Sequence, residues 1–186
     1  MNFRHENGYA VIDWGAGSVA LSDEGAHFEE INFADGITLQ KIQSHVSDWG
    51  WGSEAIHAWA TNSDDVIHAQ GKLYMLETHA GNDELSGAVH LSGGHGDDTY
   101  RLARDVKNQF VWNDFDGNDR VIFEEVEFDS TVFTTSMKQG WRGDVLSAEW
   151  MVNGIRMDVQ FEQLGRTIEQ LEFTDRTFPF RRAPLA

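Results

Sequence analysis

Large apolar residues recur in the middle of the chain at fixed positions behind polar, acidic turns. Three nine-residue stretches have a carboxylate at the sixth position and a large apolar residue at the eighth: residues 60–68, 78–86 and 93–101. The apolar side chains are those of Ile67, Leu85 and Tyr100. Because neighbouring side chains of a strand point to opposite faces, one apolar residue at a fixed place suits a short strand with one buried face. Each stretch therefore predicts a turn followed by one inward-facing strand.

The clearest of these stretches, residues 93–101, fits the nonapeptide G-G-x-G-x-D-x-U-x, where U is a large apolar residue. Residues 69–77 keep only Gly71 and Leu76, with Tyr74 in place of the aspartate. A shortened unit at 87–92 follows the next acidic stretch, and a half-pattern returns at 116–121 after a longer gap. Acid-bearing and acid-free units therefore alternate along this part of the chain.

The chain has the composition of an extended β-structure. Its only prolines are Pro179 and Pro184, which suits continuous strand ladders because proline has no N–H to donate. Apolar and polar residues alternate from Ile155 to Phe161, the pattern of a half-buried strand.

The array of nonapeptides resembles the RTX, or haemolysin-type, repeats of secreted bacterial proteins. The resemblance implies an all-β fold with a short parallel β-roll at 60–123, flanked by additional β-strands. In that family, two nonapeptides make one turn of the roll, so turns 18 residues apart stack on the same side. Residues 28–36 and 168–176, which share Glu, Phe and Asp at three places, resemble the strand and turn that close such a module.

The same resemblance divides the chain into three parts. Residues 1–45 are expected to be the tail of a preceding haemolysin-type module, with a short linker helix at 39–45. Residues 60–123 are the roll, and residues 124–180 are a C-terminal β region that closes the module. The chain is then a piece or a short relative of a longer protein.

Stacking of the roll would place Asp65, Asp83 and Asp98 in one column, with an acid-free opposite side. Two carboxylates about 5 Å apart repel by roughly 1–3 kcal/mol at effective dielectric constants between about 80 and 20. Calcium takes six to eight hard oxygens, and glycine-rich turns aim backbone carbonyls at one point. We therefore expect one Ca²⁺ between the Asp65 and Asp83 turns and another between the Asp83 and Asp98 turns, so that Asp83 is shared. The candidate metal-binding residues are Asp65, Asp83, Asp98, Asp119, Asn62, Ser63, Gly81, Gly93, Gly94, Gly96 and Gly117.

The net charge of the chain argues against some classes of binding partner. The chain has 31 acidic and 14 basic residues, for a net charge of −17, which argues against nucleic acid or an anionic membrane as a partner. The absence of cysteine excludes disulfides and thiolate sites. No apolar stretch approaches the ~18 residues that a membrane span requires.

The resemblance implies a calcium-binding module that folds when it meets Ca²⁺ after export, in a secreted, extracellular protein released by type I secretion. No catalytic constellation is found, and the chain is not expected to be an enzyme. Two alternatives stay open. One is an adhesin or carbohydrate-binding module with structural calcium, and the other is an accessory domain of a secreted protease, lipase or alginate epimerase. A glycan or other domains of a larger parent protein are the remaining candidate partners.

Two side-chain series bear on these alternatives. Packing accounts for Trp112, Trp150 and Trp141, whereas Trp49 and Trp51 are the likeliest to be exposed for sugar binding. Histidines recur every eleven residues, but a roll with a period of nine or 18 does not stack that spacing, so no metal ladder is expected. These histidines are His57, His68, His79 and His90.

Overall fold

A computed structural model shows an all-β protein built around a parallel β-solenoid of about three turns. The fold class predicted from the sequence, a short parallel β-roll, is confirmed. The structure describes residues 1–6, 9–14, 17–22, 31–32, 37–39, 41–45, 55–71, 73–104, 108–112, 115–140, 143–162 and 168–179.

The strands of these described residues are β1 (Asn2–Glu6), β2 (Tyr9–Trp14), β3 (Gly17–Ser22), β4 (Ile31–Asn32), β5 (Thr38–Leu39), β6 (Lys41–His45), β7 (Ala55–Trp59), β8 (Val66–His68), β9 (Gln70–Gly71), β10 (Leu73–Glu77), β11 (Glu84–Ser86), β12 (His90–Ser92), β13 (Thr99–Leu102), β14 (Gln109–Val111), β15 (Asp119–Phe123), β16 (Val132–Gly140), β17 (Gly143–Val152), β18 (Ile155–Glu162), β19 (Ile168–Glu172) and β20 (Thr177–Pro179). A 3₁₀ turn at Phe128–Ser130 follows β15.

Two parallel ladders form the faces of the roll. In the first sheet, β7, β10, β12, β14 and β18 lie side by side in parallel. In the second sheet, β8, β11, β13, β15 and β19 do the same. The chain alternates between the sheets, so every circuit has one turn on the acidic side and one on the opposite side.

The apolar residue at the eighth place of each repeat faces the space between the sheets. Ile67, Leu85, Tyr100, Val121 and Leu171 stand in register on the second sheet and are buried. The first sheet contributes a matching buried row of Ala58, Leu76, Leu91, Val111 and Phe161. The interior is therefore two facing rows of side chains, and the strand prediction holds for each of these repeats.

The N-terminal segment joins the same core. Strand β1 pairs in parallel with β9 of the roll, and Phe3, Ile12 and Leu39 belong to the continuous buried cluster. The helix predicted at 39–45 is wrong, because Lys41–His45 is a strand that pairs antiparallel with β7. Pairing across the sheet satisfies the backbone groups that a helix would have bonded internally. The origin of residues 1–45 in a preceding module stays a prediction.

The C-terminal strands extend both faces of the roll. Strand β18 adds in parallel to the first sheet and is followed by the antiparallel neighbours β17 and β16, while β19 adds to the second sheet and pairs with β20. Trp150 is buried at 3% exposure and its indole N–H donates to the Arg104 carbonyl, as packing required. Among the described residues, no helix has the length and hydrophobicity needed to cross a bilayer.

Candidate metal centre

The four acid-bearing turns lie on one side of the roll. We number them turn 1 (residues 60–65), turn 2 (78–83), turn 3 (93–98) and turn 4 (115–119); each leads from a strand of the first sheet to a strand of the second. Ala80, His95 and Asp116 occupy equivalent positions and form parallel bridges from turn to turn. The turns therefore stack in register like the strands beside them.

This stacking brings four aspartates into one line, which we call the carboxylate column: Asp65, Asp83, Asp98 and Asp119. The backbone N–H of each member donates to Oδ1 of the next. The donor–acceptor distances are 2.7 Å from Asp65 to Asp83, 2.9 Å from Asp83 to Asp98 and 2.7 Å from Asp98 to Asp119. The sequence placed the first three in a column and treated the turn of Asp119 as a degenerate half-pattern. The structure adds it as a fourth member, so Asp98 lies between two acidic turns, as Asp83 does.

The column is buried, although it consists of acids. Asp83 is 2% exposed and Asp98 is 1% exposed. The Oδ2 atoms of both have no hydrogen-bond partner among the described residues. The Thr78 hydroxyl, which lies near Asp83, donates instead to the Gly93 carbonyl at 3.1 Å. A buried carboxylate oxygen without a donor or a positive charge is costly, and either a proton or a bound cation would remove that cost.

Burial also disturbs the protonation of the column. Desolvation raises the pKa of Asp83 to about 6, with Asp65 and Asp64 adding to the rise through charge repulsion. Desolvation raises the pKa of Asp98 to about 8, and repulsion from Asp83, Asp119 and Asp97 acts in the same direction. The protein groups alone therefore do not neutralise these carboxylates.

Glycines allow successive turns to approach closely. Gly96 has φ of +123°, and a Cβ placed there would overlap the Gly81 carbonyl oxygen of the turn before it. Gly94 has φ of +98° and packs against the His79 carbonyl in the same way. Backbone carbonyl oxygens of one turn thus lie close against the glycines of the next turn.

The donor set is of the kind that calcium prefers. Among the described residues, no three His, Cys, Asp or Glu side chains converge closely enough to hold a metal by themselves. A cation in the column would therefore need backbone carbonyls as well as aspartate oxygens. Calcium accepts such all-oxygen sets with carbonyl ligands, whereas zinc sites rely on converging His and Cys side chains. The residues present fit a hard cation.

The two ends of the column are closed by different side chains, both missed in the sequence. At the first end, Asp65 Oδ2 accepts from the Thr61 backbone N–H at 3.0 Å and from its hydroxyl at 2.8 Å. At the other end, the Asp119 N–H donates to Glu169 Oε2 at 3.0 Å. Glu169 lies where the register between β15 and β19 shifts by one residue. Glu169-Gln170-Leu171 keeps the acid-x-apolar spacing of the repeats, which is the signal that could have found it.

A second line of side chains runs parallel to the column on the exposed surface, and we call it the outer ladder: Asp64, Asn82, Asp97 and Asn118. Here the later turn donates to the earlier one. The backbone N–H groups of Asn82, Asp97 and Asn118 donate to the preceding Oδ1 atoms at 2.8, 2.9 and 2.9 Å. The two lines therefore tie the turns together in opposite directions.

The remaining predicted ligands are part of the same turns. Asn62 and Ser63 lie exposed in turn 1, and a Cβ on Gly81 would contact the backbone of Ser63. Gly93 is buried, and its N–H donates to the Tyr100 hydroxyl at 2.9 Å. Gly117 has φ of +127° and packs against the Gly96 carbonyl.

The four histidines of the eleven-residue series lie on different surfaces of the roll. His57 and His90 lie in an aromatic row on the first sheet, with the Tyr74 ring between them at 5.5 and 4.6 Å. His68 lies on the second sheet and His79 in turn 2, so the four do not form one ladder. Trp49, Trp51 and Trp141 lie outside the described residues.

Comparison with known proteins identifies no family model, no curated protein and no solved structure that matches this chain. The similarity to RTX repeats rests on the nonapeptide motifs of the sequence. The observation that bears on function is the buried, stacked carboxylate column.

Proposed function

We propose that the chain is a calcium-binding β-roll module of the RTX type, in which Ca²⁺ occupies the carboxylate column between adjacent turns. The observation that carries this proposal is the pair of fully buried, unpartnered oxygens, Asp83 Oδ2 and Asp98 Oδ2. They would hold the cations together with backbone carbonyls of turns 2 and 3. A bound calcium ion supplies positive charge and six to eight places for oxygen ligands.

The buried aspartates of the chain couple its folding to the binding of positive charge. When the turns stack, Asp83 and Asp98 leave water and approach other acids, which disfavours their ionised forms. In an extended chain with a net charge of −17 the same groups are hydrated and far apart. Burial of the column is therefore favourable only when positive charge or protons compensate it, so binding and folding are one event.

This linkage suits a protein that must stay unfolded until export. We propose that the chain remains loose where calcium is scarce and orders outside the cell, where calcium is abundant, after type I secretion. Its role there is structural and non-catalytic, within a larger extracellular protein. Support comes from the acidic composition and the absence of cysteine, both compatible with export of an unfolded chain.

The test is a calcium titration of the chelator-treated chain, followed by circular dichroism. Asp83→Asn and Asp98→Asn should each raise the calcium midpoint about tenfold or more, which corresponds to about 1.4 kcal/mol. Asp97→Asn is the matched control, because it removes the same charge one residue away while keeping an acceptor in the outer ladder. A midpoint unchanged in both column variants, or shifted equally in the control, contradicts the proposal.

A further inference from the structure

A polar groove lies along the acidic turns on the side of the first sheet. Its volume is about 460 Å³, within the range of roughly 300–1,000 Å³ typical of small-molecule sites. Four consecutive turns and the ends of two strands contribute to it. We define the groove by Asn62, Glu77, His79, Ser92, His95 and Phe115. None of the aspartates of the column lines it, although Asn62 and Gly94, which belong to the predicted metal-binding turns, do.

An exposed aromatic ring forms one wall of the groove. Phe115 is 55% exposed, although it lies in a turn where small or polar residues are usual. The His95 imidazole lies beside it, with ring centroids 5.1 Å apart and planes tilted by 35°. Binding of an apolar ligand face over an exposed phenyl ring is favourable, because it removes apolar surface from water.

Two imidazoles of the groove are each oriented by a carboxylate. His79 Nδ1 lies 3.4 Å from Glu77 Oε1, and His95 Nδ1 lies 3.2 Å from Asp116 Oδ2. A carboxylate beside Nδ1 favours the tautomer that carries its proton on that nitrogen. With Asn62 and Ser92 nearby, the groove offers both hydrogen-bond donors and acceptors.

The backbone of His79 is strained. Its φ is +67°, in the left-handed region, and the equivalent residue in turn 3 is Gly94. A residue with a Cβ costs about 1–2 kcal/mol in this conformation relative to its usual one. Such strained residues cluster at functional sites. Glycine would suit the turn better, so the imidazole at this position indicates a use for the side chain.

We propose that this groove binds a neutral sugar, with one pyranose face against Phe115 and its hydroxyls hydrogen-bonded to the imidazoles and to Asn62. A sugar combines an apolar C–H face with an edge of hydroxyls, which matches one aromatic ring among fixed polar groups. The carboxylates of Glu77 and Asp116 and the net charge of −17 disfavour an anionic ligand. One ring gives too little apolar surface for a hydrophobic ligand.

Saturation-transfer NMR on the full chain, in calcium buffer and in chelator buffer, tests the site. The probes are the methyl pyranosides of glucose, mannose and galactose, with glucosamine and glucose 6-phosphate as charged comparators, and a glycan array extends the search to oligosaccharides. Transfer to the ring protons of a neutral glycoside is expected in calcium buffer, where the turns are stacked, and binding that persists in chelator would show that the groove forms without calcium. No binding of any neutral sugar in either format, or a preference for a charged comparator, overturns the proposal.

Two variants locate the binding. Phe115→Ala should weaken binding at least tenfold, whereas Phe178→Ala, which changes an exposed ring outside the groove, should not. His79→Gly should also weaken binding while leaving the melting temperature unchanged or higher, because it removes the strained Cβ. Undiminished binding in both Phe115→Ala and His79→Gly overturns the assignment to this groove, and so does equal weakening by Phe178→Ala.

Discussion

The two sides of the roll hold the same backbone circuit together by different means. On the acidic side, turns 1 to 4 carry the carboxylate column and the outer ladder, both of which run from turn to turn. The described residues of the opposite turns, 69–71, 87–89, 103–104 and 108, include no carboxylate. There the small residues Ala69 and Ala88 are buried, and Gly87 packs against the Ala69 carbonyl.

The difference shows that a parallel roll does not need acids in order to stack. The described turns of the opposite side are held by close backbone packing, backbone hydrogen bonds and buried small side chains. The acidic side adds buried charge that disfavours the folded state unless it is neutralised. If a cation fills the column as proposed, the acids make folding conditional on that cation, whereas the described residues of the opposite turns contain no acid.

The largest loss of stability should come from replacing a turn glycine by alanine on either side of the roll. Gly87→Ala and Gly96→Ala would each drive a Cβ into a carbonyl oxygen at positive φ. Each should lower the free energy of unfolding by about 2–5 kcal/mol, from overpacking and backbone strain together. Urea denaturation measures the loss in calcium buffer and, without calcium, in chelator at about pH 4, where protons neutralise the column.

Calcium separates the two glycine variants. It should stabilise Gly87→Ala as much as wild type and Gly96→Ala much less, since Gly96 lies in a turn of the column. Gly154→Ala is the control, because its φ is +77° and no atom lies within 4 Å of an added Cβ, so only the backbone strain of about 1–2 kcal/mol remains. Equal calcium gains for Gly87→Ala and Gly96→Ala would remove the proposed distinction between the sides.

A change of pH should have an intermediate effect on the stability of the folded state. Without metal, the pKa values of Asp83 and Asp98 are raised to about 6 and about 8 in the folded state. The folded state then binds protons that the unfolded state releases, so the stability that these two groups contribute is complete below about pH 4 and falls as the pH rises, up to about 6 for Asp83 and about 8 for Asp98. Thermal melts in chelator should show this fall.

With calcium, the pH dependence should flatten or reverse, because a cation binds the deprotonated carboxylates. In chelator, Asp98→Asn should abolish the fall in melting temperature between about pH 6 and 8 and leave the fall at lower pH that comes from Asp83. A metal-free wild type whose melting temperature rises from pH 4 to 8 would contradict the account of the buried column.

The smallest effect should come from the outer ladder. Asn82→Ala removes the acceptor of the Asp97 N–H, which should cost about 0.5–1.5 kcal/mol. The loss should be equal in calcium buffer and in chelator at about pH 4, since the ladder is exposed and lies outside the column. Asp97→Asn, which keeps its acceptor, serves as the control, and a loss seen only with calcium would place the ladder within the metal site.

The sequence could predict the repeat but not all of its members. Asp65, Asp83 and Asp98 are separated by 18 and 15 residues, whereas Asp119 follows after 21. Stacking depends on the strands and tolerates longer turns on both sides, because Val111 follows Tyr100 by eleven residues and Val121 follows Val111 by ten, so counting in nines failed there. Glu169 follows Asp119 by 50 residues because β16, β17 and β18 intervene, and only the folded register brings it to the column.

The wrong helix at 39–45 has a similar cause. A five-residue segment such as Lys41–His45 has weak local preference, and its conformation is decided by the strand it pairs with. The partner, β7, lies beyond nine intervening residues, so no local pattern reveals it. Contacts that are close in sequence were predictable, and those made by register over longer distances were not.

A crystal structure of the calcium-loaded chain, with anomalous difference maps, tests the central claim most directly. The account predicts calcium peaks between adjacent turns, within about 2.3–2.6 Å of Asp83 Oδ2 and Asp98 Oδ2, with turn carbonyls completing the coordination. A calcium-loaded chain whose column holds no cation, with any calcium bound elsewhere, would contradict it.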